Sequence, residues 1–352
     1  MLKDKIETAI LRIQKLYEDT EGQCVLSFSG GKDSTVLAEL TLMAIDRGLI
    51  SDIDFIFADT KLEYHAIYTF IDWYHENKHK IKRIKPDLSM AQVIKNYGKP
   101  AMNKKGSNNL KTYGNFLKKN EDPLEHKHMR ELIQGYTITK DGNVKKDANG
   151  KEYTSMNRLA NKNMHFLHPH LEYNISDICC DIFKKKPFHK YYAEHNIKGY
   201  FTGMRKEEGG IRKIAYGGCT STRKIKGKTI TQSMPLWYWT SEDVDNFIKE
   251  YDLKISEAYT KYELRRTGCI GCPFAKDIDV VLETLYTYEP HKYKAVQHWF
   301  GDVYKDLGIV LPFDQEYMEQ YKKRQPVIKK RRLEMINKYR PNVYDKWYKK
   351  DG

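Results

Sequence analysis

SFSGGKDSTVLAEL, residues 27–40, passes from a short apolar stretch through two adjacent glycines and a lysine–aspartate pair into a helical pattern. Val36, Leu37, Leu40, Met43 and Ala44 share one helical face, and Gly48 stands where such a helix stops. Residues 23–28 read as a short buried strand leading into the loop. Adjacent glycines cost backbone entropy unless a positive φ or a close approach demands them. A strand, a glycine turn and a helix N-terminus make an anion site, because free N–H groups and the positive end of the helix dipole point outward there.

Two familiar phosphate loops do not fit. Walker A requires Ser or Thr after Gly-Lys and a glycine five positions earlier, but Gly31-Lys32 is followed by Asp33 and position 26 is Leu. The dinucleotide pattern G-x-G-x-x-G fails because the glycines are adjacent. The string Ser29-Gly30-Gly31-Lys32-Asp33-Ser34 instead resembles the signature of the PP-loop ATP pyrophosphatases. That resemblance implies an adenine nucleotide α-hydrolase-like fold that binds ATP or an adenylyl sulfate. It also implies cleavage between the α- and β-phosphates with Mg²⁺ bridging them. Ser27, Ser29, Gly30, Gly31, Lys32, Asp33 and Ser34 would hold the phosphates, with Lys32 and Asp33 acting in catalysis.

The 352 residues suffice for one large α/β domain and a smaller partner, and 40% hydrophobic with 31% charged residues describes a globular protein. No run of 18 apolar residues is present, which excludes a membrane-spanning helix. Residues 1–20 form an amphipathic pattern with charges throughout and lack the apolar core of a secretory signal. A cytoplasmic location is therefore expected, where thiols stay reduced and ligate metal or react. The net charge is +14, and residues 321–352 alone carry twelve Lys and Arg against three Asp and Glu. Tyr339, Tyr344, Trp347 and Tyr348 are interleaved with these cations. Such a tail suits a DNA or RNA backbone with aromatics to stack on bases; the alternative is a basic helix that merely faces water.

Helix and strand alternate over residues 1–97. The reading runs from a helix at 3–18 through strands at 23–28, 52–58 and 80–84, with helices at 34–47 and after Tyr64. Alternation of this kind predicts a doubly wound, mostly parallel α/β sheet with ligands at the carboxyl ends of its strands. Asp59 and Thr60 stand at one such end. Residues 98–165 are polar and lysine-rich, with turns at Asp141-Gly142-Asn143 and Ala148-Asn149-Gly150. They are assigned to an insertion, with residues 1–97 and 166–215 as the nucleotide domain. Residues 216–352 are assigned to a basic, mainly helical C-terminal region. Residues 198–203 read as a further strand, and Thr240 or Ser241 caps a helix carrying Val244, Phe247 and Ile248 inward.

Five of six cysteines lie in the second half: Cys179-Cys180, Cys219, and Cys269-Ile270-Gly271-Cys272. A C-x₂-C turn brings two thiolates onto one metal, and zinc and iron–sulfur both accept four. Cys24, inside the first strand, reads as a core residue. Cys179-Cys180 followed by Lys184 and Pro187, then Thr202-Gly203-Met204-Arg205, resembles blocks of the adenylyl-sulfate and phosphoadenylyl-sulfate reductases. Pro235-Leu-Trp-Tyr-Trp-Thr-Ser-Glu-Asp-Val and the Asp59-Thr60 pair match the same family, in order. The resemblance implies a 4Fe–4S cluster beside the nucleotide and anion-binding or catalytic parts for Asp59, Thr60, Lys184, Gly203, Arg205 and Arg212. The expected ligand set is Cys180, Cys219, Cys269 and Cys272; the related reductases would use Cys179, Cys180, Cys269 and Cys272. Arg205 and Arg212 also bracket Glu207 and Glu208, so a salt-bridged loop is the alternative there.

The reductases carry a nucleophilic cysteine near the C-terminus in an E-C-G-I/L-H motif, and no cysteine follows Cys272 here. The expectation is therefore an adenylylating sulfur transferase, similar to the DNA phosphorothioation enzymes and phage-encoded members, with a cysteine desulfurase as donor. A sulfonucleotide reductase drawing on a thioredoxin-like thiol is the second reading, and a binding module without turnover is the third.

Overall fold

The computed structural model describes residues 2–208 and 217–348, so Arg212 lies outside the described residues. The chain divides into two compact units. One comprises Met1–Leu88 and Cys180–Ile270; the other comprises Ser89–Cys179 and Gly271–Gly352.

In the first unit the described residues form a six-stranded sheet: β1 (Cys24–Ser27), β2 (Asp54–Ala58), β3 (Ile81–Ile84), β4 (Gly199–Phe201), β5 (Thr220–Ile225) and β6 (Lys228–Ser233), in the order β3-β2-β1-β4-β6-β5. All neighbours are parallel except β5 and β6. Val25 of β1 pairs with Asp54 on one side and Tyr200 on the other. Val25, Leu26, Phe55 and Ile56 are buried to within 1%, the continuous apolar run that a parallel sheet covered on both faces requires. The helix Leu2–Asp19 buries Ile6, Ile10, Ile13 and Leu16, and the helix Lys32–Asp46 buries Val36, Leu37 and Leu40. From β1 the chain steps outward through β2 to β3, then returns to place β4 on the other flank of β1. The order therefore reverses between β1 and β4, where a doubly wound sheet opens a crevice for ligands.

The first three strands, β4 and the helix Ser241–Glu250 lie where the sequence places them, the last closed by a Thr240–Asp243 capping box. The β5–β6 hairpin was not legible. Its strands carry Arg223, Lys224 and Lys228, with Ile225 and Ile230 as their buried hydrophobics. Its turn, Lys226-Gly227, has φ of 48° and 82°, both positive as a two-residue hairpin of type I′ needs.

The second unit is mainly helical. A single apolar cluster joins Leu110, Met129, Leu132, Ile133, Met164 and Phe166 to Val303, Met335 and Ile336. Residues 98–165 thus share a core with the C-terminal residues, and the boundaries drawn from composition do not coincide with the two units. The lysine-rich composition masked a set of apolar positions too irregular to show a period. Isolated bridges Tyr136↔Thr154, Ile138↔Val144 and Lys146↔Glu152 link extended pieces around the two glycine turns.

The basic tail is partly consumed by this unit. Within the helix Gln315–Tyr339, Tyr317, Ile328, Met335 and Ile336 are buried. Arg324 pairs with Asp306 at 2.5 Å and with Glu172 at 2.9 Å. Arg340, 5% exposed, donates to the carbonyls of Ile133 (2.8 Å) and Leu132 (3.1 Å) and to Asn161 Oδ1 (2.6 Å). Burial first, and then Arg158, pulls its guanidinium down to about 10. Tyr344 packs against the cluster, whereas Trp347 is 64% exposed. Lys322, Lys323, Lys329 and Lys330 face solvent. No described helix is long and apolar enough to cross a membrane.

Arg340→Met should cost about 2–4 kcal/mol in denaturant unfolding, because two buried carbonyls and a half-buried amide oxygen lose their donor. Lys323→Met and Lys330→Met, on the solvent face of the helix Gln315–Tyr339, should stay within about 0.5 kcal/mol. Equal effects at all three positions would show that the arginine is not structural.

Candidate active site

The loop after β1 folds on itself through hydroxyls. Ser34 Oγ donates to the Gly31 carbonyl at 2.8 Å and lies 3.0 Å from Ser29 Oγ, which accepts from the Gly31 N–H at 3.3 Å. Gly30 has φ +70°, and a Cβ there would meet Ile71 at 3.0 Å and Ile67 at 3.1 Å. Gly31 caps the following helix in extended conformation with no side-chain cap bond. Ser27, at the end of β1, is half-buried.

Across the switch point, the loop after β4 presses against this one. A Cβ on Gly203 would lie 2.8 Å from the Asp33 carbonyl oxygen and 3.0 Å from the Ser34 nitrogen. Arg205, 5% exposed, donates to Glu207 at 2.7 Å and to Ser241 Oγ at 3.3 Å. Its Nε stands 3.3 Å from Asp33 Oδ2 and makes no hydrogen bond, and neither does Asp33 Oδ1. Burial pushes the Asp33 carboxyl up, and Arg205 opposes the shift. The Arg205–Glu207 pair is the salt-bridged loop foreseen as an alternative, and it aims the arginine at the glycine loop as well.

Asp59 and Thr60 follow β2 directly. Asp59 is 2% exposed and pairs with Lys61 at 2.9 Å; Thr60 Oγ1 accepts from the Leu62 N–H at 3.1 Å. On this flank the Ile270 N–H donates to the Leu62 carbonyl at 2.7 Å, docking the segment that carries Cys269. Lys184 lies 3.7 Å from Glu63, and the charges of Cys269 and then Glu63 and Cys180 hold its ammonium above the usual range. Burial raises the Cys269 thiol, with Lys184 opposing. Asp181–Lys185 forms a π-helical turn immediately after Cys180, a distortion frequent at functional sites. The first unit thus brings Cys180, Cys269, Lys184 and Glu63 together. Cys179 and Cys272 belong to the second unit.

Cys219 is placed elsewhere on the sheet. It precedes β5, its carbonyl accepts from the Met234 N–H at 2.7 Å, and its Sγ lies 3.9 Å from Thr220 Oγ1. β5 stands four strands from β2, which at about 4.8 Å per strand is roughly 19 Å. Cys24 is a core residue whose thiol burial pushes up to about 11. Among the described residues, no three His, Cys, Asp or Glu side chains are grouped to hold a single metal ion.

Several participants were invisible in the sequence. Tyr259 Oη accepts from the Lys32 N–H, Asp245 pairs with the Lys32 ammonium, and Glu63 joins Lys184. The first two contacts span more than 200 residues, so no local pattern announces them.

Residues 23–135 and 126–275 match the phosphoadenosine phosphosulfate reductase domain. No curated protein sequence matches the chain. Among solved structures, the phosphoadenylyl-sulfate reductase from Candida auris is similar at 14% identity and TM-score 0.36, covering 67% of this chain and 76% of that one. The FMN adenylyltransferase of Candida glabrata in complex with ATP is similar at 11% identity and TM-score 0.43, covering 77% and 62%. The U34-tRNA thiolase from Methanococcus maripaludis with its 4Fe–4S cluster is similar at 13% identity and TM-score 0.30, covering 86% and 80%.

Gly203→Ala forces a methyl into the backbone of Asp33 and Ser34, so nucleotide affinity should fall at least about tenfold, roughly 1.4 kcal/mol. Gly114→Ala, where a Cβ meets nothing within 4 Å, should leave it unchanged. Calorimetric titration of both variants checks the difference.

Proposed function

The chain belongs to the phosphoadenosine phosphosulfate reductase domain family, and on that premise we propose that it is a PP-loop enzyme of adenylylation-linked sulfur transfer. The observation that carries this reading is the junction of Gly203 and Arg205 with the loop 29–34 at the β1/β4 switch. ATP or an adenylyl nucleotide would lie in that crevice. Its phosphates would meet the N–H groups of Gly31 to Ser34, Lys32 and Arg205, whose Nε has no hydrogen bond to give up. Mg²⁺ would suit the buried Asp33 Oδ1, which also lacks a partner. Lys184 and Arg205 would neutralise charge that grows as the leaving group departs. Asp59 and Thr60, at the end of β2, would line the same edge.

A 4Fe–4S cluster fits the thiol chemistry of Cys180 and Cys269, close to each other and to Lys184. When bound, it would supply thiolate-ligated iron at which sulfur can be held. Strand order argues against Cys219 as a further ligand. The solvent-facing lysines 322, 323, 329 and 330 with the exposed Trp347 support a DNA or RNA acceptor. Free adenylyl sulfate, reduced with a partner thiol, is the second reading, and the family match favours it.

Anaerobically purified protein should be coloured, contain about four irons, and release pyrophosphate from ATP. Lys32→Ala should lower that release by about 100-fold. Sulfite release from adenylyl sulfate and a thiol, without pyrophosphate from ATP, would select the second reading. Colourless protein with stoichiometric zinc would overturn the cluster.

A further inference from the structure

The backbone N–H and the ammonium of Lys32, the first residue of the helix at the glycine loop, each already have an acceptor. Its backbone N–H donates to Tyr259 Oη at 3.2 Å, and its ammonium donates to Asp245 Oδ1 at 2.8 Å. The tyrosine oxygen lies 3.1 Å from Thr267 Oγ1 and 3.1 Å from where a Cβ on Gly31 would stand. The segment carrying it is anchored by Ser256, whose hydroxyl donates to the Ala66 carbonyl at 2.8 Å. A helix-start N–H and a neighbouring lysine are the donors that a phosphate oxygen recruits at such a loop.

We infer that Tyr259 and Asp245 are internal competitors of the phosphate, standing in its acceptor positions while the site is empty and displaced when it fills. The inference rests on reading this loop as the seat of the nucleotide phosphates. Its physical basis is that each competitor is cheap to displace. The Asp245 side chain is 60% exposed and that of Lys32 21%, so the ion pair opens at a cost of at most about fivefold in affinity. The tyrosine hydroxyl is a neutral acceptor, weaker than a charged oxygen on the same N–H. Every anion therefore meets one common penalty. A triphosphate, with more donors to engage and a nucleoside attached, still binds; inorganic phosphate or sulfate, holding few contacts, is weakened by the same factor from a lower starting affinity. The same competitors favour departure of pyrophosphate once it is no longer joined to the nucleoside.

Calorimetric titration of the full chain with inorganic phosphate and, separately, with ATP tests this. Asp245→Asn and Tyr259→Phe should each tighten both ligands by a similar factor, up to about fivefold. Glu242→Gln removes an exposed carboxylate from the same helix and should change neither by more than about 1.5-fold. Tyr259→Phe leaves net charge untouched, so its tightening separates a specific competitor from general repulsion. A variant that binds phosphate no more tightly than Glu242→Gln, or more weakly, overturns the role of its residue. Failure of the wild-type chain to bind ATP at all overturns the nucleotide reading, and this inference with it.

Discussion

Between Gly203 and the backbone of Asp33 and Ser34 there is no space for a methyl group, since a Cβ would fall 2.8 Å from a carbonyl oxygen. Two loops from different βα crossovers are thereby locked together where the strand order reverses. The constraint follows from the sheet. β1 and β4 are adjacent and parallel, so both chains leave the same edge about 4.8 Å apart. Only a residue without a side chain lets the second loop lie flat on the first. The helix N-terminus, Asp33 and Arg205 are positioned by this contact, and Glu207 and Ser241 fix the arginine in turn.

Electrostatics within the edge follow from burial. Asp33 is half-buried next to Arg205, and burial makes its carboxyl gain protons more readily than an exposed one, with Arg205 opposing. Arg205 is nearly inaccessible, but its charge is answered by Glu207 and Asp33. On the β2 flank, Lys184 stands against two thiols and Glu63. Cations at both ends of one edge suit a substrate whose negative charge is distributed, as in a nucleotide carrying a phosphate or sulfate group.

The glycine loop was legible because its chemistry is local: a six-residue string between a strand and a helix with a clear period. β1, β2 and β4 were legible for the same reason, as apolar runs bounded by turns, whereas β3, with Lys82 and Arg83 between two isoleucines, gave a weaker signal. The β5–β6 hairpin was not, because as the outermost pair of the sheet it carries more charge than hydrophobic side chain. The core shared by Leu110, Met129 and Met335 was equally hidden, since it joins distant segments whose local composition is polar. The tail shows how charge can mislead. Arg324 and Arg340 belong to buried networks, whereas Lys323 and Lys330 are free to meet a partner. Tyr259 and Asp245 lay beyond sequence reasoning because nothing near them in the chain signals the loop they touch.

The proposed seat of the nucleotide's phosphates is the β1/β4 switch. A crystal structure of the full chain with a non-hydrolysable ATP analogue tests it most directly. Phosphate oxygens are expected within hydrogen-bond distance of the N–H groups of Gly31 to Ser34 and of the Arg205 guanidinium. Phosphates bound elsewhere on the chain, with the Lys32 N–H still donating to Tyr259, would contradict it.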